Sequence, residues 1–164
     1  METVYLKKIG EVKKLKFQLE KKLDVKLKIV KGRVDIVGTA VDEYDAVRVF
    51  DAIGFGFSVR KALKLKEDDT IFKLVHIKEY TKRNLRDVKA RLIGTHGKTK
   101  KTISEISGCE VIIGESDVGI IGYAEDVESA EIAVINLIKG SKQANIYRYL
   151  ERMNLAKKHS QPDF

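Results

Sequence analysis

The sequence predicts an α+β protein built from two copies of one small unit, and three observations carry that prediction. Laid on itself at an offset of 84 residues and without gaps, the chain of 164 residues matches itself. Within the second copy the apolar residues pass from strand to helix periodicity and back, and the same apolar positions recur in the first. Finally, Gly94-Thr95-His96-Gly97 in the second copy stands where Gly10-Glu11-Val12-Lys13 stands in the first.

In the second copy, the apolar run Ile71 to Ile77 reads as a strand and roughly Arg83 to Leu92 as a helix. The Gly-x-x-Gly follows, then a basic helix whose inward face is Ile103 and Ile106, with Gly108 as its stop. Cys109 to Ile113 alternates as a strand, and Val118 to Gly122 reads as its hairpin partner. Asp126 is the expected N-cap of a last helix with Ala130, Ala133, Val134, Leu137 and Ile138 on one face. In the first copy Val4, Ile9, Gly10, Lys14, Ile29, Val34, Ile36, Gly38 and Ala46 are identical to Val88, Ile93, Gly94, Lys98, Ile113, Val118, Ile120, Gly122 and Ala130. The helix face Ala46, Val49, Phe50 and Ile53 falls over Ala130, Ala133, Val134 and Leu137.

The boundary is expected in the charged stretch Lys64 to Asp69, which gives modules 1–69 and 70–154 and a loose tail 155–164. With no Gly/Ser-rich spacer and Pro162 the only proline, the two are expected to dock into one rigid body. No run approaches a membrane span and no signal-peptide pattern opens the chain, so a soluble, cytoplasmic protein is expected. A single cysteine, Cys109, excludes an intramolecular disulfide and sits at the inward phase of its strand as core filler. His76, His96 and His159 have no metal-ligand spacing, and there is no catalytic cluster, so neither a metal, a cofactor nor an enzyme is expected.

The net charge of +8 is unevenly spread. Lys78 to Ile103 holds nine Lys or Arg against two acids, whereas Ser104 to Gly140 holds one lysine against eight acids. The basic segment surrounds the glycine loop, so one face should attract polyanions that the other repels. Two glycines three apart let a backbone approach a sugar-phosphate chain where a Cβ would collide, and the helix start that follows offers free N–H groups to phosphate.

The order helix, Gly-x-x-Gly, helix, strand, strand, helix resembles the KH domain, whose GXXG loop clamps the backbone of single-stranded RNA. The resemblance implies two tandem type I KH-like modules (βααββα), each a three-stranded sheet packed on helices, plus a C-terminal helix. The first would be degenerate, because Glu11 puts an anion where a phosphate would lie. In the second, Gly94 and Gly97 are assigned to close backbone approach and the amides of His96 to Thr99 to phosphate. Arg91, Lys98 and Lys101 would neutralise charge, and Thr95, His96 and Thr102 would donate hydrogen bonds. Leu92 and Ile93 would end the first helix beside the loop, Val111 and Ile113 would line the groove, and Lys82, Arg83 and Arg86 would form its basic rim.

Ala52 to Ser58 with Lys61 to Leu65 follows the first unit, and Lys139-Gly140-Ser141 with Ile146 to Glu151 follows the second. With these, the chain resembles the archaeal form of the two-KH ribosome-assembly family called Dim-two, or partner of Nob-one. That resemblance implies a monomeric factor binding near the 3′ end of small-subunit (16S) rRNA and assisting a Nob-one-type endonuclease. A different role stays open at this point: a KH-type RNA binder acting on mRNA or with the translation-initiation machinery.

Overall fold

A computed structural model describes residues 1–160, with side chains as far as Lys157. The chain divides into two compact units, Met1–Phe72 and Lys73 onward. The division falls inside a strand rather than in a linker.

The first unit runs β1 (Glu2–Tyr5), α1 (Gly10–Lys14), α2 (Lys16–Leu23), β2 (Lys26–Val30), β3 (Arg33–Val37), α3 (Ala40–Phe55) and the short α4 (Val59–Ala62). Its sheet is antiparallel in the order β1-β3-β2. Val34 and Ile36 of β3 share the core with Val12, Leu19 and Leu23 from the two short helices and Ala46, Val49 and Phe50 from α3, all at 0% exposure. Thr39 caps α3, its hydroxyl accepting from the Asp42 N–H at 3.2 Å and donating to the Asp42 carboxylate at 2.9 Å. After α3 the rings of Phe55, Phe57 and Phe72 form a triangle of tilted and edge-on contacts with centroids 5.8 to 6.1 Å apart.

The second unit takes up β4 (Thr70–His76), then α5 (Leu85–Ile93), α6 (Lys98–Ser107), β5 (Glu110–Ile113), β6 (Asp117–Tyr123), α7 (Ala124–Lys139) and α8 (Gln143–Ser160). Its sheet order is β4-β6-β5, the same arrangement as in the first unit. Val118, Ile120, Leu92, Ile103, Val134, Leu137 and Ile138 fill its core, and α8 adds Ile146 and Leu150.

The internal repeat is structural from Lys14 onward. The pairing Ile29 with Val34 recurs as Ile113 with Val118, and α3 falls residue for residue on α7. Before Lys14 the ungapped match fails: it lays β1, a strand, over α5, a helix. The identities of Val4, Ile9 and Gly10 with Val88, Ile93 and Gly94 therefore join residues in different places, since Gly10 opens a helix and Gly94 closes one. The segment that the sequence offered as a degenerate loop is the one-turn helix α1, with Val12 at 0% exposure in the core. Only Leu15 separates α1 from α2, with no room for a Gly-x-x-Gly excursion.

Two further expectations change. Helix α7 begins at Ala124 with Tyr123 at its N-cap, so Asp126 lies inside the first turn, where its carboxylate takes Lys157 of α8 at 2.5 Å. The tail expected to be loose from Leu155 is helical to Ser160, and residues 161–164 lie outside the described part.

Candidate nucleic-acid interface

The interface starts where α5 stops. Asn84 opens that helix, its side chain accepting from the Arg86 N–H at 2.8 Å, and the last N–H bond is that of Gly94 to the Ala90 carbonyl at 2.9 Å. Gly94 (φ +77°, ψ 176°) then turns the chain sharply, and His96 (φ 55°) and Gly97 (φ +74°) both take left-handed conformations before α6 begins at Lys98. The two glycines serve different ends. A Cβ on Gly94 would lie 2.2 Å from Thr99 Oγ1, so its bareness allows the loop to fold onto α6. A Cβ on Gly97 would meet nothing within 4 Å, so the open backbone lies on the outer side, where a ligand would approach.

Around this loop the expected residues separate into two sets. Thr95, His96, Lys98 and Lys101 are exposed, Ile93 is 37% exposed, and Thr102 is half-buried with its hydroxyl donated to the Lys98 carbonyl at 2.8 Å. Lys82, Arg83 and Arg86 are exposed and line a cavity of about 1030 Å³. Its other walls include Lys78, Lys89, Ile93 and Glu115. Thr99, the second residue of α6, is 3% exposed, so its side chain faces inward and its assignment rests on its amide alone. Two expectations are corrected. Leu92 is 1% exposed and belongs to the core. Arg91 turns away from the loop surface and donates to the carbonyls of Gly140, at 3.1 Å, and Ser141, holding the end of α7.

The strand side of the groove follows from the ladder. Gly114 N–H bonds the Asp117 carbonyl at 2.7 Å, so the next pair inward, Ile113 with Val118, is a non-bonded pair, as is Val111 with Ile120. The N–H and C=O of Val111 and Ile113 thus point away from β6, along the edge of the sheet. In the first unit one amide of the matching edge is already taken, because the Glu20 carboxylate accepts from the Leu27 N–H at 2.9 Å. The residue 84 positions after Glu20 is Ser104, which instead donates to the Cys109 carbonyl at 2.5 Å.

Sequence reasoning missed Lys78, Lys89 and Glu115. Lys89 was within reach, since it lies one turn from both Arg86 and Ile93 on α5. Glu115 had no signal, because only the β5–β6 turn brings it opposite that helix. Among the described residues no group of His, Cys, Asp and Glu could hold a metal ion. None of the described helices is long and apolar enough to cross a membrane.

Residues 71–155 match the PNO1 second KH domain, described as a eukaryotic type KH-domain of KH-domain type I. A KH domain-containing protein of Methanocaldococcus jannaschii is 36% identical over 157 residues, covering 91% of this chain and 68% of that one. The chain belongs to the PNO1/Dim2 family of KH-domain proteins. Similar too is the pre-rRNA-processing protein PNO1 of Candida albicans, 29% identical over 138 residues, of which this chain spans about half the length (49%). Among solved structures, Dim2p of Pyrococcus horikoshii superposes with a TM-score of 0.81 at 31% identity, over 92% of this chain and 98% of that one. The a/eIF2alpha–aDim2p–rRNA complex from the same organism gives 0.82 at 30% identity, over 94% of each chain. PNO1/Dim2 membership makes the βααββα order and the β4-β6-β5 sheet a type I KH fold.

Proposed function

We propose that this chain is a single-stranded RNA-binding factor of small-subunit ribosome assembly that acts in the cytoplasm by binding, not by catalysis. It binds near the 3′ end of the small-subunit (16S) rRNA and presents that end to a Nob-one-type endonuclease for maturation. Residues 70–154 carry the clamp, and residues 1–69 form a module without one. The observation that carries the reading is Gly97, open on its outer side in the loop that starts α6, beside a cavity walled by five cations. Phosphates would lie along the loop and the first-turn amides of α6, with Lys98 and Lys101 beside them, while unpaired bases enter between Ile93 and the edge of β5. The names of the relatives support the ribosomal target: one is a pre-rRNA-processing protein, and another was solved in complex with rRNA.

Transcript-wide crosslinking tests it. A dominant peak at the 3′ end of the small-subunit rRNA is expected; a peak spread over mRNA leaders would overturn the ribosomal target while keeping the clamp. One observation favours that second reading, a KH-type binder working at translation initiation: the neighbouring rRNA complex also contains a/eIF2alpha.

A further inference from the structure

We infer that Gln143, a residue of the C-terminal helix, is a positioning residue for the Gly94–Gly97 loop and acts on it through Thr99; the inference rests on the RNA-binding reading above. Thr99 is buried in the first turn of α6, and the loop folds so closely over it that a Cβ on Gly94 would lie 2.2 Å from its Oγ1 and 2.8 Å from its amide nitrogen. The hydroxyl of Thr99 is itself held: Gln143 Nε2, at the start of α8, donates to Oγ1 at 2.9 Å across 44 residues of sequence. Any shift of that hydroxyl moves the surface on which the loop's first glycine sits.

The other end of the loop is tied to the same joint. Arg91, three residues before Gly94, donates to the carbonyls of Gly140 and Ser141, immediately before α8. Helix α8 then spans α6 from end to end. Gln143 meets its first turn, and Asn154 donates to the Ile106 carbonyl in its last. The loop is therefore suspended between two attachments to one short segment, Gly140 to Gln143, which lies outside the cavity. The first unit ties the matching position to a different helix. The residue 84 positions before Gln143 is Val59, and its N–H donates to the Glu11 carboxylate of α1 at 2.6 Å.

Gln143 is exposed, so its amide can be replaced without opening the core. The full-length chain would be compared with Gln143→Met, Thr99→Val, Thr99→Ser and the double variant Gln143→Met/Thr99→Val. Binding would be measured to a labelled single-stranded RNA of the small-subunit rRNA 3′ end, alongside the NMR amide signals of Gly94 and Gly97 in the free protein. Gln143→Met and Thr99→Val should each weaken binding roughly two- to tenfold, as for loss of one hydrogen bond. The double variant should be no weaker than the worse single one, because both cut the same link. Thr99→Ser should keep the affinity of the parent, and the glycine amides should shift or broaden in Gln143→Met while its melting temperature moves by less than about 2 °C. Unchanged affinity and unchanged glycine signals in Gln143→Met, or additive losses in the double variant, would overturn the inference. If the parent chain does not bind this RNA, the RNA reading fails on its own, and the glycine signals still decide whether Gln143 sets the loop.

Discussion

Gly94 is seated on Thr99, with its missing side chain replaced by the threonine hydroxyl: a methyl group there would come within 2.2 Å of Oγ1. Gly97, three residues on, has open space in the same direction. Gly94→Ala should therefore cost roughly 2–5 kcal/mol, from left-handed strain plus overpacking. Gly97→Ala carries the strain alone, about 1–2 kcal/mol. Urea denaturation of the two variants checks this, and equal losses would mean that Thr99 yields to the added carbon.

Charge reversal at the loop separates binding from folding. Thr95 and His96 are exposed, and aspartate tolerates the left-handed conformation of position 96 better than most residues. Thr95→Asp/His96→Asp should keep the melting temperature and weaken single-stranded RNA binding about tenfold or more, since two anions then face phosphate.

Salt should weaken binding in a countable way. If several cations around Lys82 to Lys101 meet phosphates, log affinity should fall against log salt with a slope of about −0.7 for each contact on a single strand. Lys101→Ala should reduce that slope by roughly one contact. A hairpin stem of the same bases should bind less tightly than the unpaired strand, and a preference for the stem would rule out the groove.

In the first unit Glu11 serves as an anchor. Its carboxylate receives the Val59 N–H at 2.6 Å across 48 residues of sequence. Glu11→Ala should cost about 1–2 kcal/mol, whereas Glu11→Gln keeps an acceptor and should cost less. Thermal melts of both variants decide it; indistinguishable losses would show that the carboxylate contributes charge alone.

Burial pushes the Cys109 thiol up to about 11 from an ordinary 9.0. The unfolded chain then releases this proton at lower pH than the folded one, so the thiol's contribution to stability is complete below about pH 9 and is lost between about pH 9 and 11. Thiol reagents should not label the native protein at pH 8, and Cys109→Ser should flatten that part of the stability profile. Rapid native labelling would contradict the burial.

Much of this was legible in the sequence because local chemistry set it. The αL stop at Gly108, the alternation of β5 and β6, and the glycine loop opening a basic helix were all readable from adjacent residues. Site membership was less so, because side-chain direction depends on distant partners. Arg91 and Lys89 both sit on α5 with nothing local to tell them apart, yet Arg91 is drawn to carbonyls 49 and 50 residues away, while Lys89 lines the cavity. The repeat misled at its start for a different reason. Only Leu6 to Ile9 lie between β1 and Gly10, so the counterpart of α5 shrinks into the turn that the match labelled a loop. Val12, buried there, makes charge reversal at positions 11 and 12 a test of folding rather than of binding.

The Glu20 carboxylate on the Leu27 N–H also guards an exposed strand. Strand β2 lies at the border of its sheet, and a border strand with unpaired amides is a template on which a second molecule can add a strand. Here one amide of the template is stoppered from within by a helix side chain, and the exposed Lys26 and Lys28 flank the stopper with like charges. Both features make this border a poorer template for strand addition than a bare, uncharged one.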